Sequence, residues 1–212
     1  LDDILSGIYE YVQKGQSIKV RELTITALNA GHHYTEIIDT LLEAMNVIGT
    51  KFKRNDIYVP EVLIASRAFN IALDIIKPLI DENSNIYVGK VVIGTVEGDL
   101  HDIGKNLVKM MLGGLGYEVI DLGTNISPRQ FADAVIEHNP DILAMSALLT
   151  TTMINMKRTI QLLTKEGLRD KVKIFIGGAP VTSNYARAIG ADVYSTDAMS
   201  AVEKAREIKE EQ

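Results

Sequence analysis

The stretch Gly94-Thr95-Val96-Glu97-Gly98-Asp99-Leu100-His101-Asp102-Ile103-Gly104-Lys105 sets one histidine among carboxylates and glycines. A Gly-rich turn between a strand and a helix first suggests a phosphate cradle. The pattern G-x-G-x-x-G is absent, however, and Gly98 to Gly104-Lys105-Asn106 has one residue too many for a P-loop and no Ser or Thr after the lysine. Glu97, Asp99 and Asp102 would also set negative charge against a polyphosphate, so nucleotide binding is not expected. Asp99 and His101 are close enough in a short loop for the carboxylate to hold one ring N–H while the other ring nitrogen faces a metal. A surface-loop histidine with incidental acids is the other reading of that spacing. One histidine with neighbouring carboxylates makes a poor closed ligand set for a free metal ion.

Two further stretches matter. Met145-Ser146-Ala147-Leu148-Leu149-Thr150-Thr151-Thr152 places hydroxyls where a crevice should open, and at least one of them is expected to cap the following helix. Ile176-Gly177-Gly178-Ala179-Pro180 is either a tight turn or room for a flat group. A phosphoacceptor receiver needs an acid at the third strand's end and a lysine at the fifth, and Ser146 and Tyr194-Ser195-Thr196 do not supply them. Small residues at adjacent strand ends point to a cavity rather than to an acid–base cluster.

These stretches need elements to position them. From Leu1 to about Asp81 apolar residues recur at helical spacing, and four helices fit. The first ends at Gly15; the second follows Ser17 as N-cap and carries Val20, Leu23, Ala27 and Leu28. The third starts near Thr35 and carries Ile38, Leu41, Leu42, Met45 and Ile48. The fourth opens at Pro60 and carries Leu63, Ile64, Ala68, Ile71, Ala72, Ile75 and Ile76, with Pro78 as a late kink. Asp81-Glu82-Asn83-Ser84-Asn85 reads as a linker. Beyond it, short β-branched runs at 90–96, 117–122, 142–146, 172–176 and 192–194 alternate with helices at 103–115, 128–138, 152–165, 183–189 and 198–210. Runs that are apolar throughout indicate strands buried on both faces of a parallel sheet. The expected fold is α/β: an N-terminal four-helix bundle over residues 1–85, then a flavodoxin- or Rossmann-like doubly wound parallel sheet of about five strands over residues 90–212.

Composition narrows the chemistry. The 212 residues are 46% hydrophobic and 24% charged, a globular balance that excludes a disordered tail or fibre. There is no cysteine, which removes disulfides, thiolate metal sites and thiol nucleophiles and fits a reducing compartment. Net charge is -6, with no visible basic patch, so neither nucleic acid nor an anionic membrane is expected as a partner. Glu203, Lys204, Glu207, Lys209 and Glu210 read as a solvated helix face. The chain opens at Leu1 inside an amphipathic run, without a basic n-region or a long apolar stretch, so a cytoplasmic protein trimmed by a few residues is expected.

Taken together, Asp99-x-His101-x-x-Gly104, Ser146-x-Leu148 and Gly177-Gly178 resemble the cobalamin-binding signature of methionine synthase and its relatives. Met45-Asn46-Val47-Ile48-Gly49-x-x-Phe52 and Val59-Pro60-Glu61-Val62 are similar to the cap domain that precedes the sheet in that family. The resemblance covers nearly the whole chain and is nearest to the stand-alone corrinoid proteins of anaerobic methyltransferase systems. It implies a cobalamin or related corrinoid bound base-off, with His101 as the lower axial cobalt ligand. It further implies that Asp99 holds the distal ring nitrogen and that Thr152, in place of a serine, extends the relay. Gly98, Leu100, Asp102 and Ile103 fall in the same loop. Gly104, Gly177 and Gly178 would make space for the nucleotide tail, Ser146, Leu148 and Thr150 would surround the buried base, and Ala198 would touch corrin or tail. Phe52 and Val59 match residues that shelter the methyl-bearing face, or else are bundle core.

The function implied is that of a non-catalytic methyl carrier. It would be loaded by a substrate-specific methyltransferase, unloaded by a methyl-accepting one and rescued by a reductive activator, with residues 81–89 as a hinge. Proton uptake at His101 and Asp99 would help couple ligation to cobalt oxidation state. The alternatives are a cobalamin-binding sensor, which would need a DNA-binding domain, a mutase small subunit, which lacks the helical half, and an interaction domain with an empty crevice.

Overall fold

The structure is a computed structural model that describes residues 3–79 and 87–210. The chain forms two compact units, Leu1–Val88 with Gly113–Gly116, and Gly89–Leu112 with Tyr117–Gln212. The predicted linker at 81–85, and with it most of the predicted hinge, lies outside the described residues.

The first unit holds α1 (Asp3–Gln13), α2 (Ser17–Asn29), α3 (Tyr34–Lys53) and α4 (Val59–Ile76), the last followed by a 3-10 turn, Lys77–Leu79. Gly15, at φ 65°, ends α1: its N–H reaches the Val12 carbonyl at 2.9 Å and the Gln16 N–H reaches that of Tyr11 at 2.9 Å. This reversal is so tight that Gln16 is the N-cap of α2 and Ser17 already its first helical residue, one position earlier than the N-cap expected at Ser17. Pro78 does not kink α4 but sits in the turn after it ends. The buried face of α4 includes Ala68, Ala72 and Ile76 as expected and differs elsewhere. Val62, Ala65, Phe69 and Leu73 point inward, whereas Ile64 is 50% exposed. Arg67, Asn70 and Asp74 mark one exposed stripe of the helix, and Ile64, three residues before Arg67, falls beside it and is left out of the core.

The second unit alternates β1 (Lys90–Thr95), α5 (Ile103–Gly114), β2 (Glu118–Asp121), α6 (Pro128–His138), β3 (Ile142–Ser146), α7 (Ile154–Lys165), β4 (Lys173–Gly177), α8 (Ser183–Ile189), β5 (Val193–Ser195) and α9 (Ala198–Glu210). All strand pairs are parallel, in the order β2-β1-β3-β4-β5. The chain leaves β1 toward one side and returns to its other side as β3, which makes the C-terminal ends of β1 and β3 the switch point where a crevice forms.

The two faces of this sheet are built differently. Val92, Leu143, Met145, Ile174 and Ile176 pack against Phe131 and Val135 of α6, Met156, Ile160 and Leu163 of α7, and Ile189 of α8. The alternate positions Ile93, Ile142, Ala144, Ser146, Phe175 and Gly177 instead line a cleft of about 570 Å3 between α5 and α9. Its helical walls are Val108 and Leu112 on α5 and Ala198, Ala201 and Ala205 on α9. Alanine on α9 and small residues on β3 and β4 leave the volume that larger side chains fill on the other face.

Candidate functional site

Register brings the site together. Gly94 pairs with Met145 and Thr95 with Ser146, so the loop after β1 and the loop after β3 leave the sheet side by side. The β1 loop turns at Gly98, whose φ of 80° favours glycine. Three polar side chains pin its backbone. Asn125 Oδ1 accepts from the Gly98 N–H at 2.8 Å, Asn155 Nδ2 donates to the Glu97 carbonyl at 2.8 Å, and Thr95 Oγ1 donates to the His101 carbonyl at 3.0 Å. Sequence reasoning assigns none of these three contacts. Asn125 adopts φ 58° and Asn155 is buried inside a helix, but their partners lie 27 and 58 residues away, beyond any local pattern.

Asp99 is fully buried. Its Oδ1 accepts from the His101 N–H at 3.1 Å and contacts His101 Nδ1 at 2.7 Å. Its Oδ2 accepts from the N–H groups of Leu148 at 2.7 Å and Leu149 at 3.2 Å and from Thr152 Oγ1 at 2.8 Å. Burial alone would raise the carboxyl pKa, but the hydrogen bonds from Leu148, His101 and Thr152 outweigh it and hold the group well below the usual carboxylate range. An ionised Asp99 can only accept, so it fixes the proton of a neutral His101 on Nδ1 and leaves Nε2 as the donor atom. The His101 side chain is 52% exposed, against 0% for Asp99, so Nε2 is accessible and the carboxylate that holds the ring is dry. Among the described residues no group of three or more His, Asp and Glu could hold a metal ion. A single outward imidazole suits a metal whose other positions are already filled.

Thr152 corrects one expectation. No side chain caps α7, whose N-cap is Met153; the Thr152 hydroxyl instead donates to Asp99 Oδ2, a charge-assisted bond.

Of the other predicted site residues, Leu100, Asp102, Ile103, Gly104, Ser146, Leu148, Gly177, Gly178 and Ala198 line the cleft with His101. Leu100 and Ile103 are 72% and 87% exposed, a large apolar rim around the imidazole. Thr150 is exposed outside the cleft lining. Phe52 is buried in the core of the helical unit and Val59 is the first residue of α4, half-buried.

The glycines divide by cause. A Cβ on Gly104 would meet nothing within 4 Å, so a side chain there would extend into open space. A Cβ on Gly178 would lie 1.9 Å from the Ala147 carbonyl oxygen, at a φ of 127°, so this glycine is demanded by the protein's own backbone. Beneath the loop, Lys105 is 3% exposed and places Nζ 2.7 Å from Asp121 Oδ1, while Lys109 reaches Asp121 Oδ2 at 3.0 Å. Burial would raise the Asp121 pKa; hydrogen bonds from Lys105, Gly123 and Lys109 reverse that and lower it.

A doubly wound module with an acid-held histidine at its switch point and an apolar slot running down one sheet face defines a binder of a large ligand that carries its own metal. Comparison with known proteins makes this specific. A model described as a B12 binding domain matches residues 89–203, and a second, also described as a B12 binding domain, matches residues 4–77. The chain belongs to this B12-binding family, and its cofactor is a corrinoid. It is 45% identical over 165 residues to dimethylamine corrinoid protein 3 of Methanosarcina mazei, covering 77% of this chain and 99% of that one. It is 37% identical over 208 residues to the trimethylamine corrinoid protein of Methanosarcina barkeri, covering 97% and 96%. Among solved structures, the methanol:cobalamin methyltransferase complex MtaBC from Methanosarcina barkeri matches with TM-score 0.88 and 29% identity over 100% of this chain and 81% of that one. A cobalamin-binding protein from Desulfitobacterium hafniense matches with TM-score 0.71 and 31% identity over 96% and 97%.

The residues present fit the cofactor. The imidazole offers one nitrogen to a metal, Gly104 opens onto free space, and the slot is deep and mostly apolar, with a buried Ser195 hydroxyl that lacks a partner among the described residues.

Proposed function

We propose that this chain carries a methyl group on its corrinoid between two methyltransferases, with a methylamine as the ultimate donor. When bound, the corrinoid supplies the metal centre that takes up and releases the methyl group. The chain binds, orients and tunes. His101 would hold the metal of the corrinoid through Nε2, and the slot between α5 and α9 would house the cofactor's base. Asp99 holds the imidazole in the tautomer and orientation that ligation needs, and Thr152 and the Leu148 N–H fix Asp99 in turn. Gly104 would let the tail past the start of α5, and Ser146, Gly177, Leu148 and Ala198 would border the tail and base, whereas Thr150, outside the lining, would not.

The observation that carries the reading is the His101–Asp99–Thr152 relay at the mouth of that slot. Similarity to dimethylamine and trimethylamine corrinoid proteins supports the donor class. The partners are a methylamine-specific methyltransferase, a methyl-accepting one and a reductive activator. The described residues contain no helix long and apolar enough to cross a membrane.

Incubating the chain with hydroxocobalamin and removing excess ligand should leave a stable corrinoid absorption band. Its absence would sink the proposal. Methyl transfer from dimethylamine or trimethylamine, reconstituted with the methyltransferases that act on them, tests the donor; loading only by a methanol-specific enzyme would move the donor class to alcohols.

A further inference from the structure

Besides Asp99, one side chain grips the main chain of His101. Thr95, the last residue of β1, is fully buried and stands outside the lining of the cleft. Its own backbone is anchored to the neighbouring segment: its N–H donates to the Gly123 carbonyl at 2.9 Å, and its carbonyl accepts from the Ile126 N–H at 2.9 Å. Its hydroxyl donates to the His101 carbonyl at 3.0 Å. That carbonyl needs a donor from outside the helix. The first turn of α5 closes with the Asn106 N–H on the Asp102 carbonyl at 2.7 Å, so the His101 carbonyl lies one residue beyond the helical ladder. The remaining grip on His101 is one-sided. Its N–H and its ring Nδ1 both go to a single atom, Asp99 Oδ1, at 3.1 and 2.7 Å. Two bonds that converge on one atom fix a distance better than an orientation. The Thr95 hydroxyl supplies a second point, on the carbonyl side, and it is carried by a strand rather than by the loop.

We infer that Thr95 is a positioning residue for His101: through the hydrogen bond to the His101 carbonyl it fixes the orientation in which Nε2 is offered to a metal, and so sets the strength of ligation. Thr95 itself touches no cargo. The inference rests on the reading of His101 as the axial ligand of a corrinoid.

The test is the Co(II)/Co(I) midpoint potential of the full chain loaded with hydroxocobalamin, measured by spectroelectrochemistry for wild type, Thr95→Val, Thr95→Ser, His101→Ala and the double variant Thr95→Val with His101→Ala. Reduced Co(I) carries no axial ligand, so weaker ligation of Co(II) moves the midpoint to less negative potential. Valine keeps the branched shape that suits a strand and removes the hydroxyl. Thr95→Val should weaken ligation about two- to tenfold, the scale of one hydrogen bond, which for one electron is about 20–60 mV. Thr95→Ser, which keeps the hydroxyl, should stay at the wild-type midpoint. In the His101→Ala background Thr95→Val should add no shift, because no imidazole is left to orient. A shift that persists in that background overturns the inference. A Thr95→Val midpoint equal to that of wild type overturns it too, and it alone, provided the wild-type Co(II) spectrum shows a protein-nitrogen coupling that His101→Ala lacks. Should the valine variant not fold, Thr95→Ala replaces it; if neither folds without corrinoid, Thr95 is a determinant of the fold and the inference is overturned. If His101→Ala keeps the nitrogen coupling, or wild type takes up no corrinoid, the reading on which the inference rests has failed with it.

Discussion

The two faces of one sheet show how a binding site is made by leaving volume out. On the face covered by α6, α7 and α8, β-branched and long side chains form one buried cluster with Phe131, Met156 and Ile160. On the face between α5 and α9, the same strands present Ala144, Ser146 and Gly177 to a helix that answers with Ala198, Ala201 and Ala205, and a cleft remains. Strand propensity and hydrophobic pattern are alike on both faces. Side-chain size at a few positions separates a core from a slot.

The contrast can be attacked directly. Phe131→Ala on the sealed face should cost about 3–5 kcal/mol of unfolding free energy in a urea titration, a large share of the usual margin. A loss under about 1 kcal/mol would mean that this face is less tightly filled than its burial implies. Gly104→Leu on the open side should behave oppositely. With no atom within 4 Å of the new Cβ and a better helix former in α5, the empty protein should hold or gain up to about 1 kcal/mol, while corrinoid binding is lost. Unchanged binding would remove Gly104 from the tail's path.

The third prediction concerns pH. The Asp99 pKa is depressed in the folded chain, so its stabilising contribution is present above the unfolded carboxylate value near about 4 and is lost as pH falls through the lower folded value. Stability should therefore decline below about pH 4 more steeply in wild type than in Asp99→Asn. Parallel acid limbs would show that other carboxylates dominate. The smallest effect on folding belongs to His101→Ala, a loss of about 0.5–1.5 kcal/mol for one hydrogen bond to buried Asp99, yet it should erase the protein-nitrogen coupling from the Co(II) paramagnetic resonance spectrum. A retained coupling would assign the axial ligand elsewhere.

Much of this architecture is legible in the chain. β3, α6, α8 and α9 fall at the expected residues, because turn chemistry such as Ser127-Pro128 bounds apolar runs of decisive period. The Asp99–His101 pair is readable because both partners sit in one loop. Competition and distance account for the rest. The Gly15 reversal takes the cap position from Ser17, the Thr152 hydroxyl donates to Asp99 53 residues away, and Ile64 of α4 falls beside the exposed stripe Arg67-Asn70-Asp74 rather than in the core. Asn125, Asn155 and the cleft walls Ala201 and Ala205 acquire roles only after strand order is known, since each meets partners from remote parts of the chain.

The close approach of Gly178 to the Ala147 carbonyl bears on descent. A lineage of this fold that abandoned its corrinoid would still be held to glycine at 178 by that carbonyl, while position 104 and the exposed imidazole at 101 would be free to drift. Gly178 would thus follow the fold, whereas His101 and Gly104 would follow the proposed cargo.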